Sequence, residues 1–233
     1  MLAIDYRKID KNDAIYPELF RLRYRVYCDE CGFEDPKEYP EMMERDEYDD
    51  YAIHFCNTLA GHREMGGTVR MILNSEKGFP IEKNFIIDGR LLPDFERTKI
   101  AEISRLAISK SFRRRIGDGI LYSEKSELIT DKNKLHIKNR RENEKHFASG
   151  LYRCIYKESL KRGLTHWYAA MTEGLCSLLT RQGYVWHPIG PKINYHGYRQ
   201  PYIAVIAENA EGARRNFKLS NTTFPGLKKK ILK

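Results

Sequence analysis

The segment FRRRIGDGIL, Phe112 to Leu121, sets Arg113, Arg114 and Arg115 directly ahead of Gly117 and Gly119, in the spacing R-x-x-G-x-G. Glycines so placed let the backbone turn tightly and bring amide N–H groups close to a ligand. The apolar run that follows can open a helix, whose N-terminal end is positive, and the arginines add formal charge. The chemistry this suits is the holding of a phosphate or pyrophosphate. A basic surface turn has the same composition, so position along the chain decides between the two. The Gly-Lys-Ser/Thr of a nucleoside-triphosphate loop is missing, and the glycines stand too far from the preceding strand for a dinucleotide fingerprint.

Two other chemistries compete. Cys28 and Cys31 make half a zinc knuckle, with His54, Cys56 or His62 available to complete it. A structural zinc site takes two ordered ligand pairs, and the remaining histidines, His136, His146, His166, His187 and His196, show no ligand spacing. No metal is therefore expected, and the reading of two ordinary cysteines is preferred. A thiol nucleophile needs a partnered base, and no Cys/His pair stands out.

The elements that must position the Arg-Gly turn follow from periodicity. Residues 3 to 9 alternate weakly as a short strand, and Leu19, Leu22, Val26 and Tyr27 set a helix over about 13–28. Tyr51–Leu59 and Gly67–Leu73 read as two strands joined by a turn containing Gly61. Ile100–Ser109 reads as a third, with Ile100, Glu102, Ser104, Leu106 and Ile108 on one side and Ala101, Ile103, Arg105 and Ala107 on the other. The Arg-Gly turn thus lies between that strand and a helix from Gly117, where an anion site belongs. A highly charged insertion, about 131–147, precedes a second helix from Ala148 that ends at Gly163. A strand THWYAAM, a helix over Gly174–Gln182, and strands near Tyr184–Ile189 and Pro201–Ala207 complete the pattern. The sum is an α/β (α+β) chain with a mixed sheet flanked by helices and a site where its strands diverge. One domain over 1–207 is expected, followed by a basic tail over 208–233.

Charge is segregated. Asp29–Asp50 holds eleven acids against two bases, whereas Ala213–Lys233 has seven bases and no acid, within a net +9 over 233 residues. The acidic block, broken by Gly32, Pro36 and Pro40, reads as a long functional loop. A basic chain with fifteen tyrosines is compatible with nucleic acid, but no binding motif appears and the acidic block would repel that ligand. No run of about 18 apolar residues exists to span a membrane, and the charged N-terminus lacks a secretory h-region. With five cysteines, an odd number, the expectation is a cytoplasmic protein without a disulfide framework.

The strand, R-x-x-G-x-G turn and helix resemble the GCN5-related N-acetyltransferase (GNAT) superfamily, in which this turn holds the phosphates of a pantetheine cofactor. The late segment SLLTRQGYVW is similar to that superfamily's last helix and its Gly-aromatic ending. Leu178 and Leu179 stand where a tyrosine acid is often found, so protonation of the leaving thiolate is unassigned. The resemblance implies a mostly antiparallel, twisted sheet splayed near its central strands.

A narrower resemblance lies in the N-terminal half. LRYRVYCDECGF looks like the R-x-x-V-F and G-W elements of the autoinducer synthases, with Arg23, Tyr27 and Phe33 in the Arg, Phe and Trp places. Asp46 and Asp49 match their D-x-x-D, Arg70 their strand arginine, and Glu102 with Arg105 their E-x-S-R. The second half, GYVWHPIGPKINYHGYRQPYIAV, looks like the relatives that join long acyl chains to amino acids, including those associated with the exosortase system. Phe33 in the Trp place fits those relatives better than the lactone makers.

The resemblance implies an N-acyltransferase that moves a fatty acyl group from a phosphopantetheine thioester, on acyl carrier protein or coenzyme A, to the amino group of an amino acid or small amine. An autoinducer synthase that uses S-adenosylmethionine is the alternative. An amine attacks only as the free base, so Glu102 is the candidate to take its proton, against the plainer reading of a Glu102–Arg105 ion pair. Arg23, Asp46, Asp49 and Arg70 look like a charge network ordering the acidic loop over the acceptor site, beside Tyr27 and Phe33. A backbone N–H near Leu106 to Ile108 is the candidate to polarise the thioester oxygen. An acidic carrier would meet Arg113 to Arg115, the insertion and Lys228 to Lys230.

Overall fold

The computed structural model describes residues 4–59, 65–109 and 150–216. The turn at Gly61, the helix expected from Gly117, the charged insertion and the tail beyond 216 lie outside them. Among the described residues eight strands form the sheet: β1 (Ile4–Ile9), β2 (Ala52–Leu59), β3 (Met65–Leu73), β4 (Ile100–Ile108), β5 (His166–Met171), β6 (His187–Pro188), β7 (Ile193–Asn194) and β8 (Tyr198–Val205). Their order is β1-β2-β3-β4-β5-β8-β6, with β7 on β8. Every pair is antiparallel except β4–β5.

That parallel pair is what opens the molecule. β4 and β5 are joined only over Ile100–Glu102 against His166–Tyr168. Beyond Glu102 the two strands part, so the sheet is forked at its centre. The expected mixed, mostly antiparallel, splayed sheet is the one observed.

Helices cover both faces because neighbouring strand residues point to opposite sides. Helix α3 (150–161), α4 (Glu173–Arg181) and α5 (Ile206–Asn216) share a core with Ile53, Phe55, Val69, Met71, Ala101 and Ile103. On the other face α1 (Tyr16–Tyr24) packs Leu19 and Leu22 near Cys56 and Ala107. There α2 (Pro80–Asn84) sets Ile81 in a cluster with Ile72, Ile100 and Tyr168. α3 ends as its sequence indicates: Gly163 takes φ +68, a left-handed turn that favours glycine, and Leu164 N–H closes on Ser159 O at 2.9 Å.

Three expectations change. The helix expected over 13–28 is α-helical only through Tyr24 and continues as a π-helical turn, Arg25–Glu30. The strand expected over Tyr184–Ile189 shrinks to β6, because Tyr184 and Trp186 turn into the core and the Asn209 side chain takes up the Val185 backbone, at 3.0 and 2.9 Å. The boundary placed at 207 falls inside α5, whose Asn209 and Ala210 are buried.

Strict alternation along β4 also fails, for a reason that matters at the site. Arg70 faces Ser104 and Thr68 faces Ala107, so β4 carries one extra residue, a bulge, opposite Val69. Arg105 sits in it at φ +51, in the left-handed region that non-glycine residues avoid. The bulge moves Leu106 onto the face of Ala101 and Ile103, where it packs, and away from the side of Glu102 and Ser104.

Candidate active site

The fork opens a cleft on each face of the sheet. One, the more polar, encloses about 590 Å³ counting the space open to solvent and has Glu102, Arg70, Glu34, Asn84 and His196 in its walls. The other, about 640 Å³, is lined by Val69, Ile103, Leu106, Tyr152, Met171 and Leu175. Tyr27, Ser104, Arg105, Ala170 and Arg199 border both. A substrate lying through the fork would therefore have an apolar side and an ionisable side.

Glu102 is the last β4 residue paired to β5 and is 3% exposed. Its Oε2 accepts the Ile81 backbone N–H from α2 at 2.9 Å. Burial pushes its carboxyl up to about 7, against the opposing pull of the Ile81 N–H and of Arg70. A carboxyl that titrates near neutrality is suited to taking a proton and giving it up again. The alternative of a Glu102–Arg105 ion pair is not realised: Arg105 turns instead to Glu44, Asp46 and Glu34, at 3.0, 3.4 and 3.7 Å.

The remaining charges close into a ring. Arg23 on α1 binds Glu44 through Nε and Asp49 through both terminal nitrogens, at 2.7 and 3.2 Å. Arg70 on β3 binds Asp49 at 2.9 Å and Asp46 at 2.6 Å. Arg105 links Asp46 back to Glu44, so three arginines alternate with three carboxylates. Arg23 and Glu44 are both 0% exposed. Burial acts to raise the Glu44 carboxyl, but the guanidiniums of Arg23 and Arg105 outweigh it and hold it down at about 2. Asp49 N-terminal neighbours are tied in as well: Asp46 N–H donates to Asp49 Oδ2 at 2.8 Å. The ring fastens the acidic loop to α1, β3 and the β4 bulge, and Arg70 Nε donates onward to Ser104 Oγ at 3.1 Å.

The π-helical turn gives Tyr27 its place. Its hydroxyl donates to the Leu106 carbonyl in the bulge at 2.9 Å, and the Arg105 guanidinium lies 5.8 Å from its ring centre. Phe33 follows along the wall of the polar cleft, 6.5 Å from Tyr27 between ring centres. Tyr27→Phe is expected to cost about 1 kcal/mol of stability, read as a shift of the urea midpoint.

Of the residues singled out from the sequence, Tyr27, Phe33, Arg70, Glu102, Arg105 and Leu106 border the clefts. Arg23, Asp46 and Asp49 form the ring behind them. Ile108 lies beyond the bulge, paired with Gly67, and borders neither cleft. Arg113, Arg114, Arg115, Gly117 and Gly119 lie outside the described residues. Glu44, Glu34 and Arg199 were not distinguishable by motif, since each is one charge among many. Cys28 and Cys31 are free thiols, and among the described residues no cluster of His, Cys, Asp or Glu could hold a metal.

The family model described as Acetyltransferase (GNAT) domain matches residues 22–123, from the end of α1 through the ring and β2 to β4 to the Arg-Gly segment of the sequence. No curated protein matches the chain. Among solved structures, TofI in a ternary complex with an inhibitor and MTA superposes with TM-score 0.62 at 17% identity, covering 96% of this chain and all of that one. BjaI, a CoA-dependent acyl-homoserine lactone synthase with SAM and isopentyl-CoA, gives 0.60 at 15%, covering 92% and 90%. FeeM, an N-acyl amino acid synthase from uncultured soil microbes, gives 0.55 at 11%, covering 94% and 100%. At these identities the likeness carries the fold, an open GNAT-like sheet, and within it residues 22–123 match the acetyltransferase domain model.

Proposed function

We propose that the protein moves a long-chain fatty acyl group from a phosphopantetheine thioester, on acyl carrier protein or coenzyme A, to the amino group of an amino acid or similar small amine. The observation that carries this reading is Glu102: a buried carboxyl, poised near neutrality, in the wall of the cleft where β4 and β5 part. It accepts the ammonium proton, directly or through a water. The freed amine attacks the thioester carbonyl from the polar side, while the acyl chain occupies the apolar cleft.

Backbone N–H groups at the β4 bulge polarise the thioester oxygen, in the manner of an oxyanion hole. The C–N bond forms and the C–S bond breaks, and the second proton leaving the nitrogen neutralises the departing thiolate. A thiolate with an ordinary pKa of about 8.5 departs without a strong acid, which suits a chain with Leu178 and Leu179 where a tyrosine is often found. The ring of Arg23, Glu44, Arg105, Asp46, Arg70 and Asp49 keeps the acidic loop in place against the acceptor cleft.

The phosphate arm of the donor is assigned to Arg113, Arg114, Arg115 and the amides of Gly117 and Gly119. Replacing Arg114 and Arg115 together is expected to raise the KM for donor before it lowers kcat. An acidic carrier protein fits the same basic stretch, and carrier-dependent activity should fall steeply with added salt. Among the described residues no helix is long and apolar enough to cross a membrane. The reading places the reaction in the cytoplasm, where acyl carriers are charged, and its second-half resemblance places it with the exosortase-associated acyltransferases.

The lactone-forming alternative is kept because the chain has the architecture of BjaI over nearly the whole of both chains. Incubation with acyl carrier protein thioester and either mixed amino acids or S-adenosylmethionine, read by mass spectrometry, separates the two. An N-acyl amino acid is expected. A lactone would overturn the choice of acceptor.

A further inference from the structure

Among the described residues, three arginines border the polar cleft, and two of them, Arg70 and Arg105, are committed to the ring. The third, Arg199, makes no ion pair among those residues. It stands one residue beyond the last β5–β8 pair, Met171 with Gln200, so it lies at the open end of the fork. Its Nε donates to the carbonyls of Tyr195 and His196 at 3.1 and 3.3 Å, and Nη2 donates to His196 at 3.2 Å. The Phe33 ring lies 5.1 Å from its guanidinium carbon. Held on that edge by carbonyls and backed by an aromatic face, the guanidinium leaves Nη1 without a hydrogen bond among the described residues. It is a half-buried, oriented cation without a contact ion pair among the described residues, and the Glu34 carboxylate in the same cleft acts on it only from beyond ion-pair distance.

We infer that Arg199 reads the acceptor by binding the carboxylate of an amino acid whose amino group faces Glu102. The inference rests on the acyl-transfer reading above and narrows it to acceptors with a free carboxylate. A carboxylate offers the fork of acceptors that a guanidinium matches, and it would give Arg199 the contact partner that Glu34, engaged with Arg105, does not. An amino acid carries both groups on a single carbon, and Glu102 and Arg199 stand in the walls of one cleft. Burial, with the nearby Arg105 cation, pulls Arg199 below the ordinary arginine range against the weaker pull of Glu34. Tyr195 and His196 hold this arginine through their backbone. His196 in turn donates from Nδ1 to the Phe33 carbonyl at 2.7 Å, tying the β7–β8 turn to the acidic loop.

The test compares amino acids with their own carboxamides as acceptors, in the wild type, Arg199→Met and Arg199→Lys, with acyl carrier protein or coenzyme A thioester as donor. The wild type should favour the acid by about 10- to 100-fold in kcat/KM, mainly through KM, the worth of one charge-assisted pair. Arg199→Met should erase the preference while binding the donor normally, and Arg199→Lys should restore part of it. Equal use of acid and carboxamide by the wild type overturns the inference and leaves the acyl-transfer reading intact. So does an equal slowing of both acceptors in Arg199→Met, which would put the guanidinium on the thioester instead. Absence of acyl transfer to any amine removes the reading beneath it, and the inference with it.

Discussion

Glu102→Gln is expected to lower kcat by about 10²- to 10⁴-fold, the usual worth of a positioned base, with little change in donor binding. In the wild type kcat/KM should rise with pH through an apparent pKa near 7, as the buried carboxyl ionises, and the variant should lose that limb. Retained activity would remove Glu102 from the chemistry. The same substitution carries a stability signature of opposite sign. The folded carboxyl titrates above its unfolded value, so the folded state holds the proton more tightly, and that contribution is lost as pH rises through about 7. Above neutrality the wild type therefore carries an unfavourable buried charge that glutamine does not. Glu102→Gln should be the more stable protein at pH 8, by on the order of 3 kcal/mol, and no more stable at pH 5. Thermal melts at the two pH values read this directly.

Arg23→Met is expected to be strongly destabilising, by about 3–5 kcal/mol, because it strands Glu44 and Asp49 as buried charges with one partner each fewer. Against a typical total of about 5–15 kcal/mol, that brings the fold near its threshold. Urea denaturation measures it, and a loss under about 1 kcal/mol would mean that the ring is not a unit. Acid should have a related effect. Burial keeps His54 neutral, with a pKa lowered to about 4, and Glu44 is held at about 2. Both folded values lie below the unfolded ones, so the His54 contribution is lost below about pH 6.5 as the unfolded chain takes up the proton, and over that range the Glu102 contribution of opposite sign offsets it. Net stability should fall below about pH 4.5, where the unfolded chain binds a proton that Glu44 in the folded ring does not.

Much of this arrangement was legible in the sequence, and the reasons for what was not are physical. β4 was visible because IAEISRLAI alternates, and Gly163 marked the end of α3 because only a left-handed residue closes that turn. The bulge was invisible: nothing in Arg105 as a residue type announces a φ of +51. Its consequence, Leu106 on the opposite face from the one alternation assigns, could be seen only in the pairing with β3. Likewise Arg23, Asp46, Asp49 and Arg70 were marked by the resemblance to the autoinducer-synthase motifs, but Glu44 sits among eleven acids in one stretch and its burial is a tertiary fact. Arg199 was hidden in a basic chain for the same reason, since a cation without a contact ion pair is recognised by its surroundings and not by its name.

The fork between β4 and β5 as the seat of acyl transfer is tested most directly by a crystal structure with a non-hydrolysable acyl-pantetheine analogue. The account predicts the carbonyl between the Leu106 bulge and Ala170, the acyl chain along Val69, Ile103 and Leu175, and the opposite face of the carbonyl open toward Glu102. An analogue bound away from the fork, or with its carbonyl shielded from the Glu102 cleft, would contradict it.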